Sequence, residues 1–288
     1  MSFLNLNFLL IFLLFSCNGG IKYNSLDTEE QDAESTATIN PTGEKLINRI
    51  APPAGYTWEI AMPNSFAEFL QNLPLKDAGS PVLDYTGAPI NNQEEHIAII
   101  NYDVGIKNLQ QCADATIRLR AEYLFNQKRF DEIGFHFTSG DYFSWTDYAN
   151  GTRSVINGNS VSFSQTASAD DSYSSFRKYL DVVYNYAGTI SVNKETSPVR
   201  SNAAISSGDV IITPGSPGHA VMIVGCAKDK QNNRVYLLAE SYMPAQSIHV
   251  LKNPFESGIS PWYHLDLNSA PIQTARYTFN EANIRRFE

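Results

Sequence analysis

Cysteine is scarce in this chain, three in 288 residues, and histidine barely commoner at five. So few cysteines exclude a disulfide-framework miniprotein. No HxxxH pair, no two-histidine-plus-acid grouping and no zinc-type cysteine spacing is present, so the sequence offers neither a metal centre nor a cofactor motif. Positive charge is also short, with 21 Lys and Arg against 30 Asp and Glu and a net charge of −9. That balance gives no electrostatic footprint for nucleic acid, which is set aside as a partner. No repeat with a period of about 20–50 residues occurs. No apolar run reaches the roughly 18 residues that would span a bilayer.

What is present begins with a short apolar run, Phe8–Phe15, that carries no charge and ends Leu14-Phe15-Ser16-Cys17-Asn18-Gly19. Its length suits a signal-peptide core rather than a membrane-spanning helix. The tetrapeptide around Cys17 resembles the lipobox of bacterial lipoproteins, although no Lys or Arg precedes the run. The resemblance implies lipidation at Cys17, a signal peptide over 1–17 and a bacterial envelope protein anchored by lipid, periplasmic or surface-exposed. Residues 18–43 follow with five acids (Asp27, Glu29, Glu30, Asp32, Glu34) against Lys22 alone. Such a polar segment cannot bury enough apolar area to fold and reads as an acidic tether.

Residues 44–288 are rich enough in apolar side chains for one sizeable core. Asn64 or Ser65 is expected to cap a short helix through Asn72, and His96–Tyr102 reads as a strand. The longest helical pattern covers about 109–127, with Asp114 and Arg118 four apart and able to pair. Ile133–Phe137 reads as a strand, Ser154–Phe163 as a hairpin turning at Asn157-Gly158, and Ser172–Tyr186 as a second long helix. Apolar strands follow from Asp209, and a short helix is expected after Asn280. Helices first and a mostly antiparallel sheet later make the fold class α+β.

The chemistry centres on Ser216-Pro217-Gly218-His219, a tight turn that delivers a histidine onto the first residue of the apolar strand Ala220–Gly225. A histidine there suits a general base. Its nucleophile would be Cys112 at the start of the long helix, where an imidazole and a helix N-terminus both favour the thiolate. The helix start itself is open. If Asn108 caps it, the Cys112 N–H is used inside the helix. If it begins at Gln110 or Gln111, that N–H is free for an oxyanion. Hairpin pairing with a turn in Lys228–Asn233 sets His219 against residues 240–244, where Glu240 is the sole acid. Glu240 could orient the ring, as could Ser241 or Gln246. Cys226 and Cys112 invite a disulfide in an oxidising envelope. His219 and Cys226, however, lie seven residues apart on one strand, about 23 Å, so a Cys112 beside one is out of bonding range of the other.

Cysteine on a helix, histidine at a strand start and an acid on the next strand is the papain-like order. Gln111-Cys112, Gly208–Ile211, Gly218–Val224 and Glu240 resemble the CHAP and NlpC-type cell-wall amidases over roughly residues 105–250. Gln111 stands where the NlpC type usually has Asp. Nearly the whole chain also resembles a family of envelope lipoproteins, domain-of-unknown-function family 4846. Gln111–Leu124, Phe135–Asp141, Ser216–Val224 and Ser241–Gln246 carry that likeness. The resemblances imply a papain-like core, with the Cys-bearing helix packed on an antiparallel sheet and an insertion near 128–207. They also imply a cysteine amidohydrolase or peptidase using Cys112, His219 and Glu240 on peptidoglycan peptides.

Gln110 and Gln111 are further oxyanion candidates. His136, Asp141, Tyr142 and Trp145 are read as groove or substrate residues, although aromatics at 12% suit a core as well. His96, His249 and His264 read as structural. A non-catalytic module that holds wall fragments or a protein is the alternative, and an acyltransferase on the same dyad stays open.

Overall fold

The computed structural model describes residues 38–288 except Asn159. The signal peptide, Cys17 and the tether up to residue 37 lie outside the described residues. Among those described, no helix is long and apolar enough to cross a membrane. Pairing already begins inside the stretch read as tether, where Ile39 bridges Ile50 and the Asn40 N–H donates to the Arg49 carbonyl at 2.8 Å.

The molecule is organised about the strand His219–Lys228, in which nine of ten residues are buried. Alternate side chains divide between two apolar layers, as the pleat requires. Ala220, Met222 and Val224 join a layer with Ala113, Ala115 and Leu70. Val221 and Ile223 join a second with Tyr263, Ile272 and Phe279. A strand covered on both faces must be apolar throughout, which is why its sequence shows no alternation.

Seven strands run in the order His96–Ile99, His249–Leu251, Arg234–Glu240, His219–Lys228, Asp209–Thr213, Ile284–Phe287, Thr196–Pro198. The short strand Thr57–Trp58 adds an eighth, against Lys228 and Ala227. Every pairing is antiparallel. The fold is therefore α+β with a mostly antiparallel sheet, as its pattern suggests.

Local chemistry explains the helix boundaries. The helix Phe66–Gln71 is capped by Ser65, whose Oγ accepts the Glu68 N–H at 3.2 Å. The helix Tyr173–Tyr186 is capped by Ser172 in the same way, and each cap contributes about 1 kcal/mol. The long helix is Cys112–Asn126. Asp114 does not pair with Arg118: its carboxylate turns back to accept the Gln111 N–H at 2.9 Å. Arg118, fully buried, binds Glu122 at 2.6 Å and the Gln110 side-chain oxygen at 3.2 Å.

The segment 128–207 holds two hairpins, Gly134–His136 with Tyr142–Ser144 and Thr152–Asn157 with Ser160–Gln165, together with the Tyr173 helix. It shares the first apolar layer rather than forming a core of its own. One expectation fails at the C-terminus. Ile284–Phe287 is a strand, inserted between Asp209–Thr213 and Thr196–Pro198. Too few residues follow Asn280 for a stable helix, whereas a strand here gains partners on both sides.

Candidate active site

Three elements converge at the start of the central strand. Gly218 precedes His219, and a Cβ there would lie 2.5 Å from Thr189 Oγ1 and 2.6 Å from the Gly215 carbonyl oxygen. Only glycine lets the turn close tightly enough to feed His219 into its pairing with Thr213. The neighbouring strand runs antiparallel with a register shift between Leu237 and Leu238. Glu240 ends that strand and reaches diagonally across to the histidine. Its Oε2 lies 2.7 Å from His219 Nε2. The nitrogen left for the thiol is Nδ1, and Cys112 is the ring's other polar neighbour.

Both partners matter to the charge of the imidazole. Burial alone would push the His219 pKa down. Hydrogen bonds to Cys112 and Glu240 and the Glu240 charge outweigh it, and the pKa is raised to about 9. The ring is therefore held as an imidazolium at neutral pH beside the thiol.

Glu240 is fully buried and depends on His219. Its second oxygen, Oε1, has no hydrogen-bond partner among the described residues. Arg276 Nε stands 3.7 Å from it and His249 Nε2 3.9 Å. His249 directs Nδ1 to the Ser247 carbonyl at 2.9 Å. In the neutral ring Nδ1 carries the proton and Nε2 presents a lone pair to the carboxylate. Burial pushes the His249 pKa down to about 4, which keeps that ring neutral.

The helix begins one residue beyond the latest expected start, Gln111. Gln111 is the N-cap and Cys112 the first helical residue. Its N–H is therefore one of those with no acceptor inside the helix. Asn108 does not cap. Its side-chain oxygen takes the Ala245 N–H at 2.7 Å and ties the loop after Glu240 to the helix entry. Ser241 does the same from the other side, its Oγ lying 2.8 Å from the carbonyl oxygens of both Gln110 and Gln246.

The remaining expected residues are dispersed. Gln246 does not touch His219; its side-chain oxygen accepts from Arg276 at 2.9 Å. Gln110 is fully buried, its oxygen held by Arg118 and its nitrogen without a partner among the described residues. The Gln111 amide reaches Asn108 at 3.4 Å. His136 pairs with Glu195, and Asp141 accepts from Ser139 at 2.7 Å. Tyr142 is partly exposed and packs on the His136 ring, while Trp145 is buried among Phe125, Phe176 and Tyr179. Cys226 is a free thiol that donates to Glu59 at 3.1 Å, and Cys112 is free too, so the two form no disulfide.

Sequence reasoning missed the C-terminal wall of the site. The Tyr277 ring lies 4.6 Å from that of His219, Tyr242 5.1 Å and Phe279 5.8 Å. Arg276 stacks on Tyr242 at 4.4 Å. The alternation of Tyr277 and Phe279 shows that they share a face, but nothing local says which face of the sheet they cover.

No curated protein and no solved structure matches the chain. The profile of the family described as "Domain of unknown function (4846)" matches residues 46–286, a span that takes in Cys112, His219 and Glu240, and the chain belongs to that family.

Proposed function

We propose that the protein is a cysteine amidohydrolase or peptidase with a papain-like core, anchored by lipid at Cys17 in the bacterial envelope and acting on peptidoglycan peptides. One observation carries this reading: Cys112 and His219, 107 positions apart in the chain, are neighbours, the thiol helping to raise the imidazole pKa, with Nε2 of the ring held 2.7 Å from a buried carboxylate. Such a pairing is a nucleophile, its base and the orienter of that base.

In this mechanism the Cys112 thiolate adds to the amide carbonyl, and the His219 imidazolium gives its proton to the leaving amine as the C–N bond breaks. The acyl group then rests on sulfur as a thioester. Neutral His219 takes a proton from water, the hydroxide adds to the thioester, and a carboxylic acid leaves as thiolate and imidazolium re-form. An amine in place of water would make the same site an acyltransferase. The Cys112 N–H, at the first position of its helix, is the oxyanion donor in this reading, where one donor contributes about 3–4 kcal/mol.

The closure of the site supports the alternative, a binding module of the same fold. Cys112 is 8% exposed and His219 2%. Purified cell wall incubated with the full chain separates the two. The hydrolase releases new amines and Cys112→Ala abolishes the release while keeping the circular dichroism spectrum. Retention of wall fragments with no new amine, equally in both proteins, identifies the binding module.

A further inference from the structure

A cleft of about 590 Å³ opens between the hairpin Thr152–Asn157 with Ser160–Gln165 and the end of the helix Tyr173–Tyr186. That volume suits a small organic ligand. None of the described residues lining it belongs to the Cys112–His219–Glu240 site, and none carries a charge.

Its apolar surface comes from one face of the hairpin and from two rings. Ser154 pairs with Phe163 and Ile156 with Val161 across the strands, so these four side chains share a face. Ile156 and Val161 pack against the first apolar layer, and Phe163 stacks on Phe143 at 5.0 Å. Phe163 nevertheless stays 39% exposed, its ring 6.4 Å from that of Phe137. Phe137 is buried and forms the floor of the cleft. Tyr186 lies 5.4 Å from it and is 40% exposed, an aromatic face left open at the wall.

The polar groups divide into paired main chain and available side chains. The Thr138 N–H donates to the Tyr186 carbonyl at 2.7 Å, and the Gly140 N–H to the Phe137 carbonyl at 2.8 Å. That wall offers no free run of backbone along which a strand could be added, which argues against an extended peptide. Asn185 Nδ2 donates to the Asp181 carbonyl at 2.9 Å, and Ser139 Oγ to Asp141 at 2.7 Å. The Asn185 side-chain oxygen and the hydroxyls of Thr138 and Tyr186 have no hydrogen-bond partner among the described residues. A hydroxyl both donates and accepts, so this set matches a ligand itself rich in hydroxyls. An open aromatic face beside Ile156 and Val161 matches the apolar face of a sugar ring. With no charged side chain in the lining, nothing offsets the desolvation of an ionic ligand.

We propose that this cleft is a binding site for an uncharged carbohydrate, with one sugar ring stacked on Tyr186 and its hydroxyls bonded to Thr138, Ser139 and Asn185. The site holds a glycan and takes no part in amide cleavage.

The test titrates the full chain separately with cellotriose, tri-N-acetylchitotriose, the acidic trimer of galacturonic acid and trialanine. Binding is read by calorimetry and by the ring-proton signals of Tyr186. A neutral sugar should bind saturably and shift those signals. Preference for the acetylated sugar identifies an acetamido ligand, and equal binding identifies a plain hexose. Tyr186→Leu keeps apolar bulk against Phe137 and removes the aromatic face, and it should weaken binding at least tenfold. Thr138→Val, at an exposed position, keeps the shape of the side chain and should weaken binding severalfold. Absence of saturation by both neutral sugars at tens of millimolar overturns the proposal, as does wild-type affinity in both variants. Saturation by the acidic trimer or by trialanine alone overturns it too. No hydrolysis is measured, so the result is independent of the thiol chemistry.

Discussion

His219 Nε2 lies 2.7 Å from Glu240 Oε2, and both side chains are buried. An ion pair so enclosed is weakly screened and directional. Because Glu240 Oε1 has no hydrogen-bond partner among the described residues, this one bond carries the carboxylate's orientation.

Glu240→Gln keeps the shape of the side chain and removes its charge. On the proposed function, amide cleavage should fall by about 10⁴-fold, the usual loss when the acid that orients a catalytic histidine becomes an amide. Alkylation of Cys112 at neutral pH should slow as well. Wild-type rates in both assays would remove Glu240 from the mechanism.

Stability should decline on both sides of a maximum near pH 6.5. The His219 pKa is raised from 6.5 to about 9, so its contribution is complete below pH 6.5 and is lost as pH rises through about 9. That loss is on the order of 3 kcal/mol. The His249 pKa is lowered to about 4 by burial, so its contribution is present above pH 6.5 and is lost as pH falls toward 4. Denaturant unfolding across this range measures both limbs. Glu240→Gln should flatten the alkaline one, and an unchanged slope there would refute the assignment to His219.

The two buried thiols should differ sharply in reactivity. Burial first, and then the Glu59 carboxylate that accepts from it, pushes the Cys226 pKa well up and makes that thiol inert. Cys112 faces an imidazolium. Brief iodoacetamide treatment of the folded chain, followed by peptide mapping, should modify Cys112 well before Cys226. Equal labelling would show that His219 does not activate the sulfur.

Gly218→Ala forces a methyl group against Thr189 Oγ1 and two carbonyl oxygens, so the turn must open. A displacement of about 1 Å at His219 lowers turnover by roughly 10²-fold. Overpacking of this kind costs about 1–3 kcal/mol of stability. Pairing Gly218→Ala with Thr189→Ser tests the cause, because the hydroxyl remains and no rescue is expected. Thr189→Ala removes it and should restore part of the loss.

Much of this was readable along the chain, where the chemistry is local. Ser65 and Ser172 announce their helices because a hydroxyl satisfies an amide three residues on. The hairpin over Ser154–Phe163 and the pairing that sets Glu240 near His219 follow from turn length, although Asn157 pairs with Ser160 and ends its strand rather than making the turn. Trp145 and Asp141 show the limit. An aromatic suited to a groove and one suited to a core look alike until the packing is known, and Trp145 is 1% exposed.

By itself, then, the amino-acid order determined the α+β pattern, the caps, and the succession of thiol, imidazole and carboxylate, because each depends on neighbours within a few residues or on one hairpin. Tertiary structure alone decided that Gln246 grips Arg276. It also placed Tyr277 and Phe279 against His219 and turned Ile284–Phe287 into a strand. These are contacts between segments far apart in the chain, and only the packing of both apolar layers onto one sheet brings them together.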